Sequence, residues 1–209
     1  LSRVNSVRPP SIVVMVAWLY SGVTHKEANM AKLLVWYATH DGQTRKILEH
    51  MVRHVPGYDV EWRLLDEEPN HDLSEYERVV VAASIRYGHF PKMLMRRARQ
   101  RATELTQCEA AFVAVCLTAR KPEKRDPLTN VYTRKWLQHS PWQPKHCGVF
   151  AGALRYSLYT WWQTRIIQLI MWMTGGSTNK HQDVEFTDWR QVEKFAKTFL
   201  GSRDNDGLR

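Results

Sequence analysis

Four short apolar runs recur along this chain at wide intervals, each with the length of a strand. They are Leu33-Leu34-Val35-Trp36-Tyr37, Arg78 to Ile85 (RVVVAASI), Ala110 to Leu117, and Cys147 to Gly152. Continuous runs of this kind are typical of strands covered on both faces, and strands alternating with helices imply a parallel sheet that gives them that cover. Tyr58 to Leu65, with alternating residues, adds a strand between the first and second of these runs. Between the strands the period changes. Ile47, Leu48, Met51, Val52 and Val55 recur at helical spacing until Pro56-Gly57 stops them. Pro91 suits a first helical position, and Leu94, Ala98, Ala102 and Leu105 mark the inner face of one helix. A further helix fills about residues 129–139, and the last runs from an Asp188 N-cap through Val192, Phe195, Ala196 and Phe199. The sequence therefore predicts an α/β fold, an open sheet of five parallel strands with helices on both faces.

One stretch breaks this rhythm. Residues 153–183 separate the last apolar run from Val184 to Thr187, which reads as a short strand. The simplest account is a fifth strand interrupted by an inserted arm. The arm holds Tyr156, Tyr159, Trp161, Trp162, Ile166, Ile170 and Trp172, with Gly175-Gly176 ending its helix. It is too short to cross a bilayer, yet too apolar to lie bare in water. It covers its own domain, joins a second copy of the chain, or rests in a membrane interface. At the other end, Arg3 and Arg8 precede the apolar run Ile12 to Tyr20, a pattern similar to a signal peptide that lacks a good cleavage site. Met30-Ala31-Lys32 reads like a start of translation. Residues 1–29 are therefore expected to be an extension outside the fold, a peripheral anchor being the alternative; residues 30–201 form the domain and 202–209 a tail.

Composition narrows the function. With 44% apolar and 24% charged residues, neither disorder nor a coiled coil describes the whole chain. Lys and Arg number 30 against 21 Asp and Glu, a net charge of +9 that favours anionic partners. The nine Trp fit a membrane interface or a base-stacking surface equally well. Cys108, Cys116 and Cys147 form no CxxC pair, so small buried hydrophobes are expected rather than disulfides.

In a parallel sheet, ligands bind beyond the carboxyl ends of the strands. The turn there after the first strand is Thr39-His40-Asp41-Gly42-Gln43-Thr44. A helix beginning at this point aims backbone N–H groups and its positive end at an anion, with Thr39 and Thr44 adding hydroxyls. The turn has neither GxGxxG nor GxxxxGK[ST], which disfavours dinucleotide binding and nucleoside triphosphate hydrolysis. His50-x-x-x-His54 has the i, i+4 spacing of metal ligands without the Glu of HExxH, so an exposed helix face accounts for it and no metal is expected. The basic run Lys92 to Arg101 reads as a solvated helix face, and Asp66-Glu67-Glu68 as a polar loop.

Thr39–Thr44 resembles the phosphate loop of flavodoxins, T-x-T/D-G-x-T. Ala83-Ser84-Ile85-Arg86-Tyr87-Gly88-His89-Phe90 follows the third strand, Ala119-Arg120-Lys121-Pro122-Glu123-Lys124-Arg125 the fourth. Ala151-Gly152-Ala153-Leu154-Arg155-Tyr156 opens the arm, and Phe186-Thr187-Asp188-Trp189 closes it. Together these segments closely resemble the quinone-dependent protoporphyrinogen oxidase family, flavodoxin-like enzymes of bacterial haem synthesis. The likeness spans about Ala31 to Phe199. His40 departs from the family pattern, which has Arg there.

The resemblance implies FMN as cofactor, protoporphyrinogen IX as substrate, and menaquinone or ubiquinone as electron acceptor. It implies that Thr39, His40, Asp41, Gly42, Gln43 and Thr44 hold the phosphate. Ser84, Ile85, Arg86, Tyr87 and Gly88, with Leu117, Thr118, Ala119, Arg120 and Lys121, would flank the flavin ring. Arg86, Arg120, Lys121 and Arg155 are candidates for the substrate's propionates, and His89 or Arg86 for catalysis. The arm, through Trp161, Trp162, Ile166, Ile170 and Trp172, would attach the protein peripherally to the cytoplasmic face of the inner membrane, a homo-oligomer being a further option. A soluble flavodoxin-type electron carrier or quinone reductase is the alternative. A basic nucleic-acid-binding protein is the third reading, and nucleic acid is not among the expected partners.

Overall fold

The first apolar run sits at the centre of the sheet. In the computed structural model, β1 (Ala31–Ala38) lies between β2 (Tyr58–Leu64) and β3 (Arg78–Ser84). Beyond β3 come β4 (Ala110–Val115) and β5 (His146–Phe150), giving the order β2-β1-β3-β4-β5 with every pair parallel. Residues 30–154 and 184–201 are described. The expected extension and tail, and the arm from Arg155 to Asp183, lie outside the described residues.

Strand alternation divides β1 between two cores. Leu34 and Trp36 face one layer, where α2 (Lys92–Gln100), α3 (Ala102–Gln107) and α4 (Val131–His139) contribute Leu94, Ala98, Leu105 and Trp136. Leu33, Val35 and Tyr37 face the other, covered by α1 (Gln43–Arg53) and α5 (Trp189–Leu200). The burial that the unbroken apolar runs demanded is thus met on both sides. Trp36, Trp136 and Trp142 are all buried, and Phe112 stacks on Trp136 at 4.3 Å between ring centroids. Much of the tryptophan in the described residues therefore packs the core, not a surface. Burial also pushes the Cys147 thiol up to about 12 and the Cys108 thiol to about 11, so both are neutral at physiological pH.

Four expectations change form. The single helix expected after Pro91 divides at Arg101, whose backbone leaves the helical region (φ −117°, ψ 21°). Next to this break Arg97 and Arg101 turn toward the Leu65–Glu68 loop. Arg97 is only 7% exposed, donates to the carbonyls of Leu65, Asp66 and Glu67, and pairs with Glu68. Arg101 pairs with Glu68 and Glu104. The basic run is therefore not wholly a solvated face, since Arg97 is a buried anchor. Nor is Asp66-Glu67-Glu68 merely a polar loop. Partial burial would raise the Glu68 carboxyl, but the two guanidinium groups outweigh it and hold the group below the usual carboxylate range. Finally, Val184 does not return to the main sheet. β5 already occupies the edge of β4 from Ala111 to Val115. β7 (Val184–Glu185) pairs instead with β6 (Ala153–Leu154) in a separate antiparallel ribbon.

Candidate functional site

β1 and β3 send their following helices to opposite faces of the sheet, so their carboxyl ends flank a switch point where a crevice opens. Three loops converge on that edge. The loop after β1 ends in Gly42, whose φ of 78° is left-handed, a conformation that glycine alone adopts without strain. No side chain caps α1, and its first turn carries no acidic residue. The positive end of the helix thus meets no neutralising group from its own first turn. The oxygens Thr39 Oγ1, Gln43 Oε1 and Thr44 Oγ1 are sealed from solvent and have no hydrogen-bond partner. Each such atom costs about 1–3 kcal/mol, and three within six residues make a cradle awaiting a polar ligand.

The orientation of Gln43 follows from its neighbour. The Thr187 hydroxyl donates to the Ala151 carbonyl at 2.9 Å, so its oxygen accepts from Gln43 Nε2, also at 2.9 Å. This fixes the carboxamide with Oε1 as the unmatched atom. Thr187 and Ala151 are positioning residues that sequence reasoning missed as site members. Their signals were the A-G-A-L-R-Y and F-T-D-W segments, which carried the resemblance but were given no part in the site.

The loop after β3 is a tight turn. Arg86 and His89 exchange backbone hydrogen bonds, both 3.0 Å, around Tyr87 (φ 51°) and Gly88 (φ 81°). Positive φ at tyrosine is strained by about 1 kcal/mol. Its ring is 52% exposed, with the Arg86 guanidinium 5.1 Å from the centroid. Arg86 Nη1 also reaches the Asp41 carboxylate at 3.4 Å, which joins this turn to the first loop. His40 is exposed, its Nε2 3.9 Å from the same carboxylate. Ser84 ends β3, Ile85 donates its N–H to the Val115 carbonyl at 2.8 Å, and His89 is exposed.

The third loop is organised around Asn130, which is fully buried. Its amide nitrogen donates to Cys116 Sγ, Thr118 Oγ1 and the Lys124 carbonyl, while Oδ1 accepts from Tyr132 N, Thr133 N and Thr133 Oγ1. Arg125 donates to the Ala119 carbonyl and pairs with Asp188, the N-cap of α5. Ala119 is buried with its N–H and carbonyl both engaged, so it supports the loop. Arg120 donates to the Leu117 carbonyl at 3.3 Å, and Lys121 is exposed. The structure thus joins the first two loops side chain to side chain, while the third is held by Asn130 and, through Arg125, by the N-terminus of α5. Arg155 and the arm residues Trp161, Trp162, Ile166, Ile170 and Trp172 lie outside the described residues.

These features can be set beside known proteins. The model of the Flavodoxin domain family matches residues 34–181. A protoporphyrinogen IX dehydrogenase (quinone) of Escherichia coli strain K12 is 41% identical over 182 residues, covering 85% of this chain and 99% of the relative. A protein of that name from Leishmania major is 41% identical over 171 residues, covering 80% of this chain and 74% of its own. Among solved structures, oxidised flavodoxin 1 from Bacillus cereus aligns with a TM-score of 0.48 at 13% identity, covering 82% of this chain and 99% of the flavodoxin.

Proposed function

The chain belongs to the family of the protoporphyrinogen IX dehydrogenases (quinone), and from that membership we propose that it oxidises protoporphyrinogen IX to protoporphyrin IX with FMN as cofactor and a quinone as electron acceptor. The observation that carries the reading is the trio of unmatched buried oxygens at the head of α1. FMN has the complementary groups. Its phosphate oxygens would accept from the Thr39 and Thr44 hydroxyls and from the backbone N–H groups opening α1, and a ribityl hydroxyl would donate to Gln43 Oε1. When bound, FMN supplies the redox chemistry, taking reducing equivalents from the porphyrinogen and yielding them to the quinone.

The protein's own part is to bind, orient and manage protons. Gly42 leaves the approach to the loop open, with nothing within 4 Å of where a Cβ would stand. Tyr87 offers an exposed ring for stacking against the flavin, and Ser84 to Gly88 form the wall beside it. Arg86, Arg120, Lys121 and Arg155 are proposed to meet the substrate's propionates, because guanidinium and carboxylate pair bidentately. His89, exposed at the end of the turn, is the proposed proton acceptor. We further propose peripheral attachment to the cytoplasmic face of the inner membrane through Trp161, Trp162, Ile166, Ile170 and Trp172. Support comes from the apolar character of quinone and porphyrinogen and from a net charge of +9, which favours anionic lipid. No described helix is long and apolar enough to cross a membrane. Self-association through the arm is the alternative use of the same residues.

The test uses the purified full chain. Its visible spectrum should show bound flavin, and adding protoporphyrinogen with menaquinone or ubiquinone under anaerobic conditions should produce porphyrin fluorescence. Flavin without quinone-dependent porphyrin formation would replace this reading with that of an electron carrier. Failure to bind FMN on reconstitution would remove both.

A further inference from the structure

The sequence alone assigns His50 and His54 to an exposed helix face, because their i, i+4 spacing lacks a third ligand nearby. The fold supplies one from 143 residues away, Glu193 on α5. Glu193 Oε1 lies 3.2 Å from His50 Nε2 and 3.5 Å from His54 Nε2, and the trio's donor atoms all lie within 4.8 Å of one another. In a tetrahedral zinc site with bonds of about 2.0–2.1 Å, neighbouring donors stand about 3.3 Å apart. All three side chains are half-buried, and the Trp189 ring packs 4.5 Å from that of His50.

The tautomer of His54 sharpens the point. Its Nδ1 is 2.8 Å from the His50 carbonyl, which can only accept, so Nδ1 carries the hydrogen. In the neutral ring Nε2 then carries a lone pair, and that lone pair faces a carboxylate oxygen. Two acceptors at this range repel unless positive charge lies between them. Metal-bound histidines are oriented in the same way, by an N–H donated to a backbone carbonyl. Moreover His50 is in the last turn of α1 and His54 is its C-cap, where the helix dipole favours a cation. Of the cations around the trio, Lys46, one turn earlier, is held by Glu185 at 2.6 Å, while Arg190, Lys194 and Lys197 line the same hollow as Glu193 along α5.

We infer that His50, His54 and Glu193 form a binding site for a divalent transition metal of the zinc class, which clips α1 to α5. Two imidazoles and a carboxylate suit Zn²⁺ and its neighbours rather than Mg²⁺ or Ca²⁺, and a water can complete the tetrahedron. His50 lies eight residues beyond Gly42, roughly 12 Å along α1. The metal therefore braces the helix whose opposite end forms the phosphate cradle, and it takes no part in the redox step.

The experiment uses tag-free full-length protein, stripped with EDTA and titrated with Zn²⁺ or Co²⁺. One equivalent should bind with micromolar or tighter affinity, Co²⁺ should show the intense visible bands of a tetrahedral site, and saturation should raise Tm by several degrees. His54→Gln and Glu193→Gln should each weaken binding by at least about 10–100-fold, with circular dichroism and FMN content unchanged. If either variant fails to fold, His50→Asn replaces it. Stoichiometric binding that survives these substitutions would overturn the site, and so would a folded, FMN-loaded protein that takes up no zinc, since the trio would then be bridged by a proton.

Discussion

The loops after β1 and β4 leave the same edge of the same sheet, yet they treat their polar atoms in opposite ways. After β4, Asn130 spends its amide on three acceptors and its oxygen on three donors, so a buried side chain is saturated from within. After β1, three oxygens are equally hidden and none has a partner. Burial without a partner costs free energy, so the first loop is less stable than its sequence would allow. The difference teaches a division of labour. One loop is built to hold its own shape and the other to be completed by a ligand.

The largest effect should come from breaking the saturated loop. Asn130→Ala removes an amide that has six polar atoms within hydrogen-bond distance and orphans several buried groups, and should cost about 3 kcal/mol in denaturant unfolding of the FMN-free protein. A loss under about 1 kcal/mol would show that the network contributes little. The matching change in the open loop should act on the other axis. Thr44→Val swaps an unmatched hydroxyl for a methyl of the same shape, so the FMN-free protein should hold its stability or gain slightly. FMN affinity should fall about 10-fold or more, the worth of about 1.5 kcal/mol for a hydrogen bond to a charged group. If Thr44→Val instead destabilised the FMN-free protein and left FMN binding intact, the two loops would not differ in kind.

How much of this was legible beforehand depends on how local each signal is. The apolar runs announced the strands because burial on both faces leaves no alternation to misread, and Asp188 announced the last helix through its cap. The phosphate loop was legible because a strand, a turn with glycine and a helix lie adjacent in the chain. What escaped was non-local. Nothing near Gln43 predicts that Thr187 will orient it, because that pairing exists only once α5 packs beside α1. Arg97 looked like its neighbours Arg96 and Arg99 until the fold turned it toward the Leu65–Glu68 carbonyls. The histidine pair was visible, whereas Glu193 was not. The strand expected to resume after the arm failed for a similar reason, since β5 had already taken the edge it needed.

Tyr87 offers the finest division between the two kinds of loop. A bulky side chain at φ 51° is strained, and its ring gains little in return where it stands half in solvent. Asn tolerates the left-handed region, because its short polar side chain bonds locally. Tyr87→Asn should therefore stabilise the FMN-free protein by about 0.5 kcal/mol, a gain readable in chemical denaturation only with replicate curves. The same change removes a stacking surface, so FMN should bind several-fold more weakly and its fluorescence on the protein should rise toward that of free flavin. Opposite signs on the two axes would mean that the strain is kept for the ligand. A loss of stability with unchanged FMN affinity would mean that the ring packs for the fold alone, and the turn after β3 would then belong with the loop of Asn130 and not with the cradle.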